Sequence, residues 1–104
     1  MEDIEQICCQ IISAGGTARS VCIEAIYLAK EGKIQEAKQH FQLAEQYFSQ
    51  GQKIHFDLLK REAEGNNIPF KLLLLHAESM LMTVDDMKIM AEEFISVYEK
   101  LLNK

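Results

Sequence analysis

The sequence predicts an all-α chain, an antiparallel up-down-up bundle of three long helices that associates with further copies of itself. Three observations carry this. Apolar residues recur at alternating spacings of three and four along nearly the whole chain, the signature of one helical face. The pattern breaks at Gly32 and again at Gly65-Asn66-Asn67, which leaves three segments of similar length joined by short connections. The third segment carries two apolar seams, where a helix confined to one small bundle needs a single stripe. Strand-like alternation, internal repeats and low-complexity linkers are missing from the sequence.

In the first segment the seam is Ile4, Cys8, Ile11, Gly15, Ala18, Cys22, Ala25 and Ala29, small side chains suited to close helix approach. Gly15-Gly16 interrupts it, and each mid-helix glycine costs about 1 kcal/mol relative to alanine. A kink and close backbone packing are both open as reasons. Gly32, after Lys30-Glu31, suits a helix C-terminus with a cation in the last turn.

The second seam is Ile34, Ala37, Phe41, Ala44, Phe48, Gly51, His55 and Leu58, widened by Leu43, Tyr47, Ile54 and Leu59. Pro69 suits the opening turn of the third helix, with Asn67 as its capping side chain. One seam of that helix is Leu73, His76, Met80, Thr83, Met87, Met90, Phe94, Val97 and Leu101. The other is Leu74, Ala77, Leu81, Val84, Ala91, Ile95, Tyr98 and Leu102. Two such faces over more than four turns predict a partner helix from another chain.

A length of 104 residues suits one domain over 1–104, and the 48% hydrophobic and 26% charged fractions are ordinary for a globular protein. The net charge is -5, and no basic stripe extends beyond Lys60-Arg61, so nucleic acid is not an expected partner. Cys8, Cys9 and Cys22 form no CxxC and read as small buried hydrophobes in a reducing compartment. The start of the sequence, with Glu2, Asp3 and Glu5, is unlike a signal peptide. No apolar run approaches the roughly 18 residues of a membrane span. These features predict a cytoplasmic protein with no direct membrane insertion.

Spacing excludes several chemistries. The residues three before His40, His55 and His76 are Ala37, Gln52 and Leu73, so no Glu-x-x-His motif of a carboxylate-bridged metal site exists. Glu78 lies two residues past His76, about 200° around a helix, too far for joint chelation. Metal ligation within one chain is therefore not expected. No GxSxG elbow is present, and Ala14-Gly15-Gly16-Thr17 lacks the phosphate-loop pattern. His40 reads as a solvent-face residue and His55 as a satisfied seam histidine. His76 stands apart, with Leu72 to Leu75 before it and Ala77, Met80, Leu81 and Met82 after it. A neutral imidazole there offers a ring lone pair, which makes it a nucleophile as well as a base. On the helix surface Ser79 and Met80 flank it.

These residues also carry a resemblance. The stretch IPFKLLLLHAESMLMT, residues 68–83, resembles the active-site helix of the lactose/cellobiose-family IIA component of the bacterial sugar phosphotransferase system (PTS). Pro69-Phe70, His76-Ala77 and Leu81-Met82-Thr83 match the family pattern, as do Glu24-Ala25 and Arg61-Glu62-Ala63, and Gly16-Thr17-Ala18-Arg19-Ser20 stands against a family Gly-Asp/Asn-Ala-Arg-Ser, departing at Thr17. The resemblance covers nearly the whole chain. It implies a phosphocarrier that forms a homotrimer. In it, His76 accepts a phosphoryl group from the phosphocarrier protein HPr and passes it to the IIB component, which serves a membrane transporter of β-linked disaccharides.

The chain departs from the family pattern beside that histidine. Glu78 replaces a glutamine, Ser79 an aspartate, and Met80 a residue that is often histidine. The family aspartate implies a divalent cation on the trimer axis; Ser79 carries no charge, so a trimer without metal at this position is expected, and no other cofactor. Glu78 is expected to turn away from its own His76 and towards a neighbouring chain's site. The alternative to a working carrier is a helical interaction or regulatory module that keeps the fold without transferring phosphate.

Overall fold

The computed structural model describes residues 3–103 and folds them into three helices, α1 (Ile4–Lys30), α2 (Ile34–Ala63) and α3 (Leu72–Leu102). No strand occurs among the described residues. Helix lengths of 27, 30 and 31 residues match the segments read from periodicity.

Local chemistry sets the ends. The Asp3 side chain accepts a hydrogen bond from the Glu5 backbone N–H at 3.2 Å, which caps α1. At its other end Gly32 takes a φ of 86°, a left-handed conformation that glycine adopts without steric cost. The Lys33 N–H then donates to the Leu28 carbonyl and the Gly32 N–H to the Ala29 carbonyl, so the last open carbonyls are satisfied. Gly65 repeats the device with a φ of 94° at the end of α2.

The third helix begins later than the sequence predicts. Pro69 lies in a non-helical connection and Asn67 caps nothing; α3 starts at Leu72, with Lys71 in extended conformation as its N-cap and no side-chain cap. Lys71 is instead tied to α1, its Nζ donating to Glu5 Oε1 at 2.9 Å.

The predicted seams of α1 and α2 form the interior. Cys8, Ile11, Ala18, Cys22, Ala25 and Ala29 are buried, facing Ala37, Phe41, Ala44, Phe48 and Leu58. Cys9 corrects the sequence reading: it is exposed, since it lies one residue off the seam. α1 runs unbroken through Gly15-Gly16. A Cβ on Gly15 would lie 2.8 Å from Met80 Cγ, so close packing of α3 is what Gly15 permits; a Cβ on Gly16 would meet nothing within 4 Å.

α1 packs against both other helices, whereas α2 and α3 touch least and leave a groove between them. The molecule is a rod of 57 × 19 × 19 Å. Its radius of gyration, 16.3 Å, exceeds the ~13 Å of an average domain this size. Two separate clusters fill it. One gathers Ile7, Cys8, Ile11, Phe48, Leu58, Leu81 and Val84; the other gathers Val21, Cys22, Phe41, Ile95 and five alanines. Among the described residues no helix is long and apolar enough to cross a membrane.

The two seams of α3 have different fates. Ala77, Leu81, Val84, Ala91 and Ile95 are buried inside the bundle. The opposite face stays open, with Met90, Phe94, Val97 and Leu101 exposed, together with Leu72 (76% exposed), Met82 (71%) and Ile89 (60%).

Candidate functional site

Where α3 begins, its outward face carries His76. The ring is exposed, in a shallow recess lined by Leu72, Leu73, Leu75 and Ser79. These are its helical neighbours at one, three and four residues, so the recess follows from the helix itself. Met80, one turn further on, is half-buried and packs against Gly15, which fixes the helix face that bears the imidazole. Among the described residues neither ring nitrogen of His76 is engaged in a hydrogen bond or ion pair. An open imidazole held on a packed helix can offer a ring lone pair to an incoming electrophile.

The four residues singled out in the sequence are divided by the fold. His76 and Ser79 share the open recess, and Met80 backs it. Glu78 sits on the other side, in the groove between α2 and α3, half-exposed. There it has a partner in its own chain: His55 Nε2–H donates to Glu78 Oε2 at 2.7 Å. The sequence places His55 on a seam without naming its partner. Glu78 lies on neither apolar seam of α3, so no sequence signal paired the two.

The remaining histidine, His40, is half-exposed, with Nδ1–H donating to the Glu36 carbonyl at 3.1 Å and Nε2 lying 3.6 Å from Glu24 Oε2. Its ring thus lies between α2 and α1, far from His76. Among the described residues no group of three or more His, Cys, Asp and Glu side chains could hold a metal ion. Ser79 is exposed on the open face and brings a neutral hydroxyl. Divalent cations of the Mg²⁺ and Ca²⁺ type favour charged carboxylates, so the residue at this position does not fit the axial cation that the family resemblance implies.

A three-helix rod with an exposed apolar face and an outward imidazole defines a class of all-α protein whose candidate reactive group lies on an open surface rather than in an enclosed cavity. Comparison with known proteins makes the class specific. The family described as "PTS system, Lactose/Cellobiose specific IIA subunit" matches residues 6–99. The lichenan-specific phosphotransferase enzyme IIA component of Bacillus subtilis is 40% identical over 100 residues, covering 96% of this chain and 91% of that protein. The oligo-beta-mannoside-specific EIIA component of the same organism is 39% identical over 95 residues, covering 91% and 86%. The crystal structure of a cellobiose-specific enzyme IIA from Bacillus anthracis superposes with a TM-score of 0.96 at 36% identity, covering 100% of this chain and 95% of that one.

The chain therefore belongs to the lactose/cellobiose-specific IIA family, the phosphotransferase components of PTS sugar transport.

Proposed function

We propose that this chain is a phosphohistidine carrier in which His76 accepts a phosphoryl group from HPr and delivers it to the IIB component during uptake of a β-linked disaccharide. The observation that supports this reading is the exposed, unengaged imidazole in a recess of leucines on a rigid helix. In the step itself a lone pair on a His76 ring nitrogen forms the new N–P bond. The bond from phosphorus to the donor breaks, and its electron pair leaves with the donor. Transfer to IIB runs the same exchange in the opposite sense. The chain has little to supply beyond alignment and a tolerable charge environment, because phosphoryl transfer depends mainly on positioning and electrostatics. Leu72 and Leu75, both exposed, form an apolar rim to the recess suited to brief docking of two successive partners.

The carrier acts as a cytoplasmic homotrimer. The open face of α3 is long and rich in exposed apolar side chains, interrupted by Asp86 and Glu93, and further copies of α3 would cover it. With Ser79 in place of a carboxylate, the trimer needs no metal at that position. Nucleic acid and direct membrane insertion play no part, and the sugar never meets this subunit.

Incubation with phosphoenolpyruvate, enzyme I and HPr tests the reading by intact mass. One phosphate per chain is expected on the wild type and none on His76→Ala. Absence of phosphate on the wild type, or equal phosphate on the variant, leaves the interaction module. That second reading is favoured by one feature, the carboxylate of Glu78 two residues from the acceptor.

A further inference from the structure

The acidic residue at position 78 poses a problem that the fold answers. A phosphorylated imidazole carries close to two negative charges, and a carboxylate free to approach it would repel both the arriving and the bound phosphoryl group. Glu78 is not free. Its Oε2 accepts the hydrogen bond from His55 at 2.7 Å, half-buried in the groove between α2 and α3. Phe48, Phe56, Leu59 and Met82 frame that groove, and water is partly excluded from the pair. Leu75 and Ser79 border both this groove and the His76 recess, so they form the wall between them.

We propose that His55 is a positioning residue: it pins the Glu78 carboxylate to α2, behind the Leu75–Ser79 wall, and so keeps that charge off the phosphoryl group carried by the His76 of an adjoining chain, its own His76 already lying about 200° away around α3. This rests on the phosphocarrier reading above. The bond survives either protonation state in which Nε2 bears a hydrogen. With both ring nitrogens protonated the pair is neutral overall, and with one it remains a directed hydrogen bond. Either way, the carboxylate oxygens point into the groove rather than along the outward face. The other charged link between α2 and α3, Lys38 to Glu99 at 2.9 Å, lies far along the rod from His76 and is exposed at both side chains, so it cannot take over this task.

A helix clamp with no bearing on phosphate makes different predictions, and four variants separate the two. The initial rate of His76 phosphorylation is measured with phospho-HPr and, independently, with phosphoramidate, a small donor that needs no protein partner and releases ammonia. His55→Leu, which removes the donor but keeps an apolar filling, is expected to slow both reactions roughly tenfold. His55→Gln, which retains an N–H donor, stays close to wild type. Glu78→Gln is at least as fast as wild type. The deciding variant is His55→Leu with Glu78→Gln, which returns to the wild-type rate although the α2–α3 bond is gone. Helix content and thermal midpoint, recorded for each, establish that the comparison is between folded chains.

An unchanged rate in His55→Leu, or a double variant as slow as the single one, overturns the positioning role. If phosphoramidate phosphorylates His76 and phospho-HPr does not, the carrier assignment fails while the His55 comparison is still read with the small donor. A His76 that takes phosphate from neither overturns both.

Discussion

Cys8 and Cys22 are fully buried between α1 and its neighbours, and burial pushes both thiols up from their ordinary value of 9.0. Because the folded state holds these protons more tightly than the unfolded chain does, their contribution is intact below pH 9.0. It is lost as pH rises through the folded values. The urea midpoint is therefore expected to hold steady up to about that pH and then fall, and Cys8→Ala with Cys22→Ala should flatten the fall. A thiol reagent applied to the native protein should modify Cys9 alone. Position on the helix decides this difference, since a heptad seam includes residues 8 and 22 and passes over residue 9. At the same scale, His76 could be read from its neighbours in sequence, because the leucines that line its recess are one to four residues away. The partner of Glu78 could not be read that way. His55 is 23 residues distant on another helix, and only the packing of α2 beside α3 brings them together.

Helix by helix, the periodicity was legible because each seam is decided by burial, and burial repeats with the helical turn. Helix ends were legible where a single residue decides them, as Gly32 and Gly65 do. The start of α3 was not: Pro69 could open a helix, yet residues 66–71 stay non-helical and Lys71 precedes the first turn without a capping side chain, so no single residue marks the boundary. The glycine pair in α1 shows the same division. Sequence pattern left kink and packing open, and the answer lies in what faces each residue. Gly16→Ala, with open space around it, should stabilise the protein by about 0.5–1 kcal/mol through helix propensity. Gly15→Ala forces a Cβ to 2.8 Å of Met80 Cγ. It should cost about 1–3 kcal/mol relative to its neighbour's change, read from urea unfolding of both variants. Displacing Met80 also disturbs the face that carries His76, so Gly15→Ala should lower the phosphorylation rate, whereas Gly16→Ala should not.

At the level of the whole molecule, the rod exposes many large apolar side chains along α3, among them Met82, Ile89, Met90 and Val97, the kind of surface that marks an interaction site. Sedimentation is expected to give a trimer, with no change on addition of a chelator. Ile89→Asp, which leaves the interior of the single chain untouched, should convert it to monomers of nearly the same helix content, because a carboxylate would be buried between copies. The two-faced pattern of α3 was legible as a pair of seams, yet Leu72, Leu75, Met82 and Ile89 belong to neither. They become part of the open face only once the buried seam has fixed the rotation of the helix. A last consequence follows from the divided interior. With one cluster near His76 and a second near the α1–α2 turn, the two ends of the rod can breathe separately. Amide exchange should then sort into two protection classes along each helix. A partner docked at residues 72–79 would slow exchange in the nearer half and leave the alanine-rich half unchanged.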